Sequence, residues 1–96
     1  MREELRNVAG AMHGGVAASL ADAAVGIALA HHFGGRRPST TAELKVNYLR
    51  PIMDGKLVAR SHLVRIGKNL CVGRVDLKDA KGKLAAVAIV TYMLLD

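Results

Sequence analysis

The chain contains no tryptophan, one phenylalanine, two tyrosines, two prolines and one cysteine among its 96 residues. Each shortage excludes something. Three aromatic rings, none of them interleaved with the basic residues, provide no platform on which nucleobases would stack. The lone Cys71 cannot close an internal disulfide, and its apolar surroundings lack the basic groups that activate a thiolate, so it is expected as a small buried residue. No apolar run follows the opening MREELRN, so no secretory leader is expected, and a cytoplasmic location is. The longest apolar stretch, Val16 to Ala30, is interrupted by Asp22 and falls short of the roughly 20 helical residues that cross a bilayer. It is expected in a protein core, with no membrane role.

What remains is aliphatic. Hydrophobic residues make up 51% of the chain and charged residues 23%, which is the composition of a folded protein and not of a disordered one. The length allows one domain, residues 1–96, with its own core. So much apolar surface in so short a chain exceeds what one copy can hide, and a homo-oligomer is expected. The net charge of +6 is scattered from Arg2 to Lys83, with Arg36 and Arg37 the only adjacent basic pair. That pattern suits solubility and the attraction of a small polyanion better than a nucleic-acid partner.

Local patterns fix the elements. Gly14 to Phe33 reads as a helix: Ala and Leu fill it, no proline interrupts it, and Gly34-Gly35 supplies its stop. Between Val16 and Ala30 its only polar side chains are Ser19 and Asp22, so it should be enclosed on most sides. From Ser39 the period becomes two. Thr40, Ala42, Leu44, Val46 and Tyr48 fall on one face, and Thr41, Glu43, Lys45 and Asn47 on the other, up to Arg50-Pro51. Met53-Asp54-Gly55 leads into a second strand, Lys56 to Ile66, and Gly67-Lys68-Asn69 into a third, Leu70 to Leu77; both connections are short enough for hairpins. After Asp79-Ala80-Lys81-Gly82 the last strand, Leu84 to Leu95, opens on an unbroken apolar run and should be central and covered on both faces. A long helix followed by an antiparallel meander makes an α+β domain, with the sheet wrapped around the central helix.

Two features carry chemistry. Helix N-termini expose free N–H groups and a partial positive charge, and Gly14 and Gly15, after His13, leave that backbone open to a carbonyl oxygen. Donors already aimed at an oxygen that gains charge in the transition state are worth on the order of 3 kcal/mol each. Further along the same helix, Asp22 places a carboxylate among alanines and leucines, where it needs either a partner or a task. At a subunit seam it can act as a general base on water or as a nucleophile; otherwise it bonds a backbone donor or a basic residue. His31, His32 and His62 have no partners at metal-ligand spacing, so no metal site is expected.

The string Asn7-Val8-Ala9-Gly10-Ala11-Met12-His13-Gly14-Gly15, then Ser19-Leu20-Ala21-Asp22, then Asn47-Tyr48-Leu49-Arg50-Pro51, resembles the hotdog-fold acyl-CoA thioesterases of the phenylacetate-pathway (PaaI-like) group. The later Gly67-Lys68 turn and the Asp79, Gly82, Lys83, Leu84 hairpin follow in the same order, so the likeness covers nearly the whole chain. It implies a hotdog domain that acts on acyl-CoA, needs no cofactor because coenzyme A is part of the substrate, and assembles as a dimer at least, with a tetramer the larger assembly. By the same resemblance the Gly14 N–H polarises the thioester carbonyl, assisted by Asn7, and Asp22 of the opposite subunit is base or nucleophile. His13 lies near the leaving sulfur. A hydroxyl at the start of the first strand after the helix helps to hold water: counting back from Pro51 gives Thr41, and counting forward from the helix gives Thr40. Lys68, Asn69 and Arg50 are candidate contacts to the CoA phosphates. Met12, Val16 and Leu20, together with a second subunit, are candidates for the acyl pocket.

Members of this group usually carry a helix and a strand before the Asn, whereas only Met1 to Arg6 precede Asn7, so the domain is expected to be shortened at its N-terminus. Three other readings stand beside the hydrolase. A non-catalytic acyl-CoA-binding module would bind such esters and release no thiol. A nucleic-acid-binding dimer would lose affinity steeply with salt. A hotdog dehydratase would need a His and a carboxylate facing the acyl α and β carbons, which Asn7 and the nine-residue His13–Asp22 spacing do not favour.

Overall fold

The computed structural model describes residues 14–35, 37–52 and 56–95. They form α1 (Gly14–His32), β1 (Ser39–Tyr48), β2 (Leu57–Ile66), β3 (Leu70–Asp79) and β4 (Leu84–Leu94), the α+β arrangement expected. The helix stops through its glycines. Gly34 takes φ +70°, and the Gly35 and Gly34 N–H groups donate back to the carbonyls of Ala30 (2.9 Å) and His31 (3.3 Å), the paired bonds of a Schellman cap.

The four strands form one antiparallel sheet in the order β1-β4-β3-β2. Only β2–β3 and β3–β4 are hairpins. The expected first hairpin is absent: β1 pairs with β4, β2 pairs with β3, and the two lie at opposite edges of the sheet. The ends of β1 and β2, Tyr48 and Leu57, are therefore three strand spacings apart, a gap of about 14 Å, which is well within the reach of roughly 26 Å of the eight residues between them. Composition explains the order. The apolar β4 takes the centre, whereas β1 and β2 alternate with charged residues that tolerate an edge.

Helix and sheet meet along Ala17, Ala21, Val25 and Leu29, four apart on α1 and all buried, against Cys71, Val75, Leu77, Ala86, Ala88 and Val90. Small residues set the separation. A Cβ on Gly73 would lie 2.8 Å from both Val25 methyl carbons, so the absence of a side chain there lets the helix rest on β3.

Three further expectations need correction. The helix is not enclosed on most sides within one chain: Gly15, Ser19, Ala23 and Ile27 are exposed, Ile27 at 66%. Likewise the outward residues Val87, Ile89 and Thr91 of β4 are only half-buried. The apolar stretch is also longer than read from Val16 to Ala30. Gly15–His32, with mean hydropathy 1.2, is long and apolar enough to cross a bilayer by length and composition alone, but its buried stripe faces the sheet.

Replacing Gly73 by Ala tests the helix–sheet contact. Overpacking against a β-branched neighbour is expected to cost about 1–3 kcal/mol in urea unfolding; trimming the neighbour in Gly73→Ala/Val25→Ala should recover part of the loss that the two single changes sum to.

Candidate functional site

Asp22 lies half-buried on the flank of α1, between the stripe that meets the sheet and the exposed face. Its carboxylate accepts a hydrogen bond from the Thr41 hydroxyl, Oγ1 to Oδ1, at 2.7 Å. A charge-assisted bond of this kind is short and offsets part of the cost of removing a carboxylate from water.

Thr41 reaches the helix because β1 is irregular. Thr41 pairs with Tyr92 and Glu43 with Thr91, which leaves Ala42 without an opposite residue. This bulge shifts the alternation by one. Thr41 therefore shares the helix-facing side with Leu44, Val46 and Tyr48, whereas unbroken alternation had grouped it with Glu43, Lys45 and Asn47. Counts from the two flanking landmarks point to Thr40 and to Thr41, and the structure separates them. Thr40 is exposed, and Thr41 is the residue that meets Asp22.

A third group joins them. Tyr92, directly across from Thr41, donates its phenol hydrogen to the Asp22 main-chain carbonyl at 2.9 Å. A Cβ on Gly26 would sit 2.9 Å from that phenol oxygen, so the mid-helix glycine is what admits it. Burial pushes the Tyr92 phenol above its ordinary value; hydrogen bonding with Thr41 opposes this, and the bond and charge of Asp22 reinforce it. Sequence reasoning missed both Tyr92 and Gly26. Their signals were present: a tyrosine in an aliphatic strand needs a partner for its hydroxyl, and a glycine inside a helix costs about 1 kcal/mol unless something approaches it closely.

Beside this cluster lies an open cavity of about 730 Å³ between the second half of α1 and the ends of β1 and β4. Ala23, Gly26, Ile27, Phe33 and Tyr92 line it, and the Arg37 guanidinium lies 4.8 Å from the centre of the Phe33 ring. The expected pocket residues Val16 and Leu20 belong to the other half of the helix, and Leu20 packs against the core.

Gly14 is the first helical residue and Gly15 is exposed, with no acidic side chain in the first turn to compete for the free N–H groups. Eight residues separate Gly14 from Asp22, about 12 Å along the axis, so one copy of the helix does not bring the two onto one carbonyl group. Asn7, Met12 and His13 lie outside the described residues. Lys68 and Asn69 are exposed in the β2–β3 turn at the Tyr92 end of the sheet, where the Asn69 carbonyl accepts the Leu94 N–H at 2.8 Å. Arg50 stands at the opposite end of β1 from Thr41, roughly 30 Å away at strand rise, with its N–H directed at the Ala85 carbonyl (3.2 Å). There its charge, after the Lys83 and Lys81 N–H bonds, helps to hold the Asp79 carboxyl below its usual value. Among the described residues no three His, Cys, Asp or Glu side chains are grouped to hold a metal ion.

The sequence profile described as thioesterase superfamily matches residues 9–86. A putative esterase of Saccharolobus solfataricus is 34% identical over 94 residues, 98% of this chain and 66% of the relative. The medium/long-chain acyl-CoA thioesterase YigI of Escherichia coli is 32% identical over 96 aligned positions, 86% of this chain and 62% of that protein. The chain thus spans about two thirds of the length of these curated relatives. Among solved structures, a Bacillus halodurans protein determined with CoA superposes with a TM-score of 0.93 at 25% identity, covering 100% of this chain and 64% of that one.

Thr41→Val keeps the side-chain shape and removes the donor to Asp22. It is expected to cost about 1–3 kcal/mol in chemical unfolding, whereas Thr40→Val, at an exposed position, should stay within about 0.5 kcal/mol. Equal effects of the two would contradict the pairing described.

Proposed function

The chain belongs to the thioesterase superfamily, and we propose that it hydrolyses an aryl- or medium-chain acyl-CoA to the free acid and CoA. The observation that carries this reading is the Thr41–Asp22 pair: a half-buried carboxylate on an apolar helix, oriented by a hydroxyl, with Tyr92, which bonds the same helical residue, lining an open, largely apolar cavity. The hotdog fold it shares with structures such as the CoA-bound Bacillus halodurans protein and its likeness to an acyl-CoA thioesterase support the substrate class. Within the superfamily the residues Asn7, His13, Gly14 and Asp22 favour the phenylacetate-pathway-like group.

In this reading the working unit is a dimer at least, with a tetramer as the larger assembly. Two observations support it. Gly14 and Asp22 stand about 12 Å apart on one helix, so the pair that acts on a single thioester comes from two chains. Ile27 on the helix, together with Leu44 and Tyr48 on β1, is exposed, and β1 has no neighbour on its outer side among the described residues. Apolar side chains exposed beside an unpaired strand are commonly covered by a partner.

The mechanism follows from the chemistry of each group. The Gly14 N–H of one copy, assisted by Asn7, donates to the thioester carbonyl oxygen and stabilises the charge that grows there. Asp22 of the other copy, held by Thr41, takes a proton from water as that water attacks the carbonyl carbon; in the alternative route it attacks the carbon itself, and after CoA leaves water hydrolyses the resulting mixed anhydride to the free acid and restores the carboxylate. The tetrahedral centre collapses, the C–S bond breaks, and CoA leaves as thiolate beside His13, which lies near the sulfur. Lys68 and Asn69, at the Tyr92 end of the sheet, hold the CoA phosphates, Arg50 takes part only from the other copy because it stands at the far end of its own chain's β1, and Gly15 and Met12 border the acyl group. No cofactor other than the substrate's own CoA takes part, and the setting is the cytoplasm.

Asp22→Asn keeps the size of the side chain and removes its basicity. Thiol release from phenylacetyl-CoA and medium-chain acyl-CoAs is expected to fall by at least about 10²-fold, with the oligomer unchanged in light scattering. Undiminished turnover in that variant would end the mechanism, and saturable CoA-ester binding without any wild-type thiol release would replace the enzyme with a binding module.

A further inference from the structure

The Tyr92 phenol is an unexpected polar group inside an aliphatic sheet, and its place in the structure is specific. The side chain sits on the helix-facing side of β4, between Thr41 on β1 and Cys71 on β3, its register partners. Its oxygen reaches the main-chain carbonyl of Asp22, not merely the nearest turn of the helix. That carbonyl is at the residue whose side chain Thr41 holds, so two cross-strand neighbours grip one helical residue at two points, carboxylate and backbone. The contact exists because position 26, one helical turn after Asp22, is glycine; any side chain there would begin 2.9 Å from the phenol oxygen. A glycine in mid-helix and a tyrosine in an apolar strand each carry a cost, and the contact between them accounts for both.

We infer that Tyr92 is a positioning residue for Asp22, with Gly26 as the space that admits it. By fixing the helix backbone at residue 22, the phenol fixes the distance from the carboxylate to Thr41, and hence to a thioester bound beside them. It also walls the cavity next to Asp22, so it sets where the first carbons of an acyl group stop. Tyr92 acts through Asp22 and takes no proton in the reaction. Among the described residues the titratable groups nearest this point include Asp22 on α1, Tyr92 on β4 and the buried Cys71 on β3, with Thr41 the polar neighbour on β1 and Arg37 lining the adjoining cavity. The phenol, its titration displaced upward by burial, stays protonated and able to donate through the neutral range.

This inference rests on the hydrolase reading, and its test is arranged so that the two can fail separately. Tyr92→Phe removes one oxygen and leaves the ring in place. Turnover of acyl-CoA, per folded protein, is expected to fall in kcat by about tenfold to a hundredfold, with KM within about twofold, because ground-state binding is retained and the geometry of attack is not. A loss of packing alone would lower melting temperature without that split. A crystal structure of Tyr92→Phe is expected to show the Asp22 carboxylate displaced from Thr41 or divided between rotamers. Gly26→Ala, which pushes the phenol away, is expected to reproduce both effects, and the double variant should be no worse than Tyr92→Phe alone. If Asp22 keeps its bond to Thr41 in both variants, or if kcat is unchanged in both, the inference is overturned. Should the wild type release no thiol from any acyl-CoA, the hydrolase reading fails, and the crystallographic comparison still decides whether Tyr92 positions Asp22.

Discussion

The hydrogen bond between Thr41 and Asp22 is the constraint on which the rest of the site depends. A carboxylate halfway along an aliphatic helix is costly unless something meets it, and here a hydroxyl on a different element does so at 2.7 Å. For that hydroxyl to face the helix, β1 must carry a bulge; for the helix to lie at the right height, residues 26 and 73 must lack side chains; and for the strand to be an edge, β4 must take the centre of the sheet. The bulge and the two glycines each cost some stability relative to an ideal strand or helix; the bulge turns Thr41 to Asp22, Gly26 admits Tyr92 and Gly73 admits Val25.

The core that supports this pair is built from small aliphatic residues. Ala17, Ala21, Ala86 and Ala88 bring helix and sheet close, and Val25 against Gly73 sets the approach. Such a core is thin, and many apolar residues are left exposed, among them Ile27 on the helix, Leu44 and Tyr48 on β1 and Val58 and Val64 on β2. In the proposed dimer the exposed helix face and the open edge of β1, which carry Asp22 and Thr41, are where a second copy would supply its helix N-terminus.

The sequence was most informative where a pattern is local. Gly34 and Gly35 ended the helix where expected because a left-handed cap needs glycine, and the Gly67 and Gly82 turns closed two hairpins. Asp22 was legible as a polar residue with nothing polar around it. What depends on pairing between distant strands was not legible. The short Met53-Asp54-Gly55 segment looked like a hairpin, although β1 and β2 lie at opposite edges. Strict alternation put Thr41 on the wrong face, because a bulge at Ala42 is visible only once Tyr92 and Thr91 are known to lie opposite. Tyr92 itself escaped notice for the same reason: its partner is 70 positions away in sequence.

The central claim is that the carboxylate of one chain works with the helix N-terminus of another, and mixing two inactive variants tests it most directly. Gly14→Pro removes the main-chain N–H at the first helical position, where proline is tolerated, and Asp22→Asn removes the base. If the site is shared, co-assembled chains in equal amounts regain about a quarter of wild-type thiol release, from the one intact site in each mixed dimer. If the mixture is no more active than its two components, the groups do not act across chains and the account is contradicted.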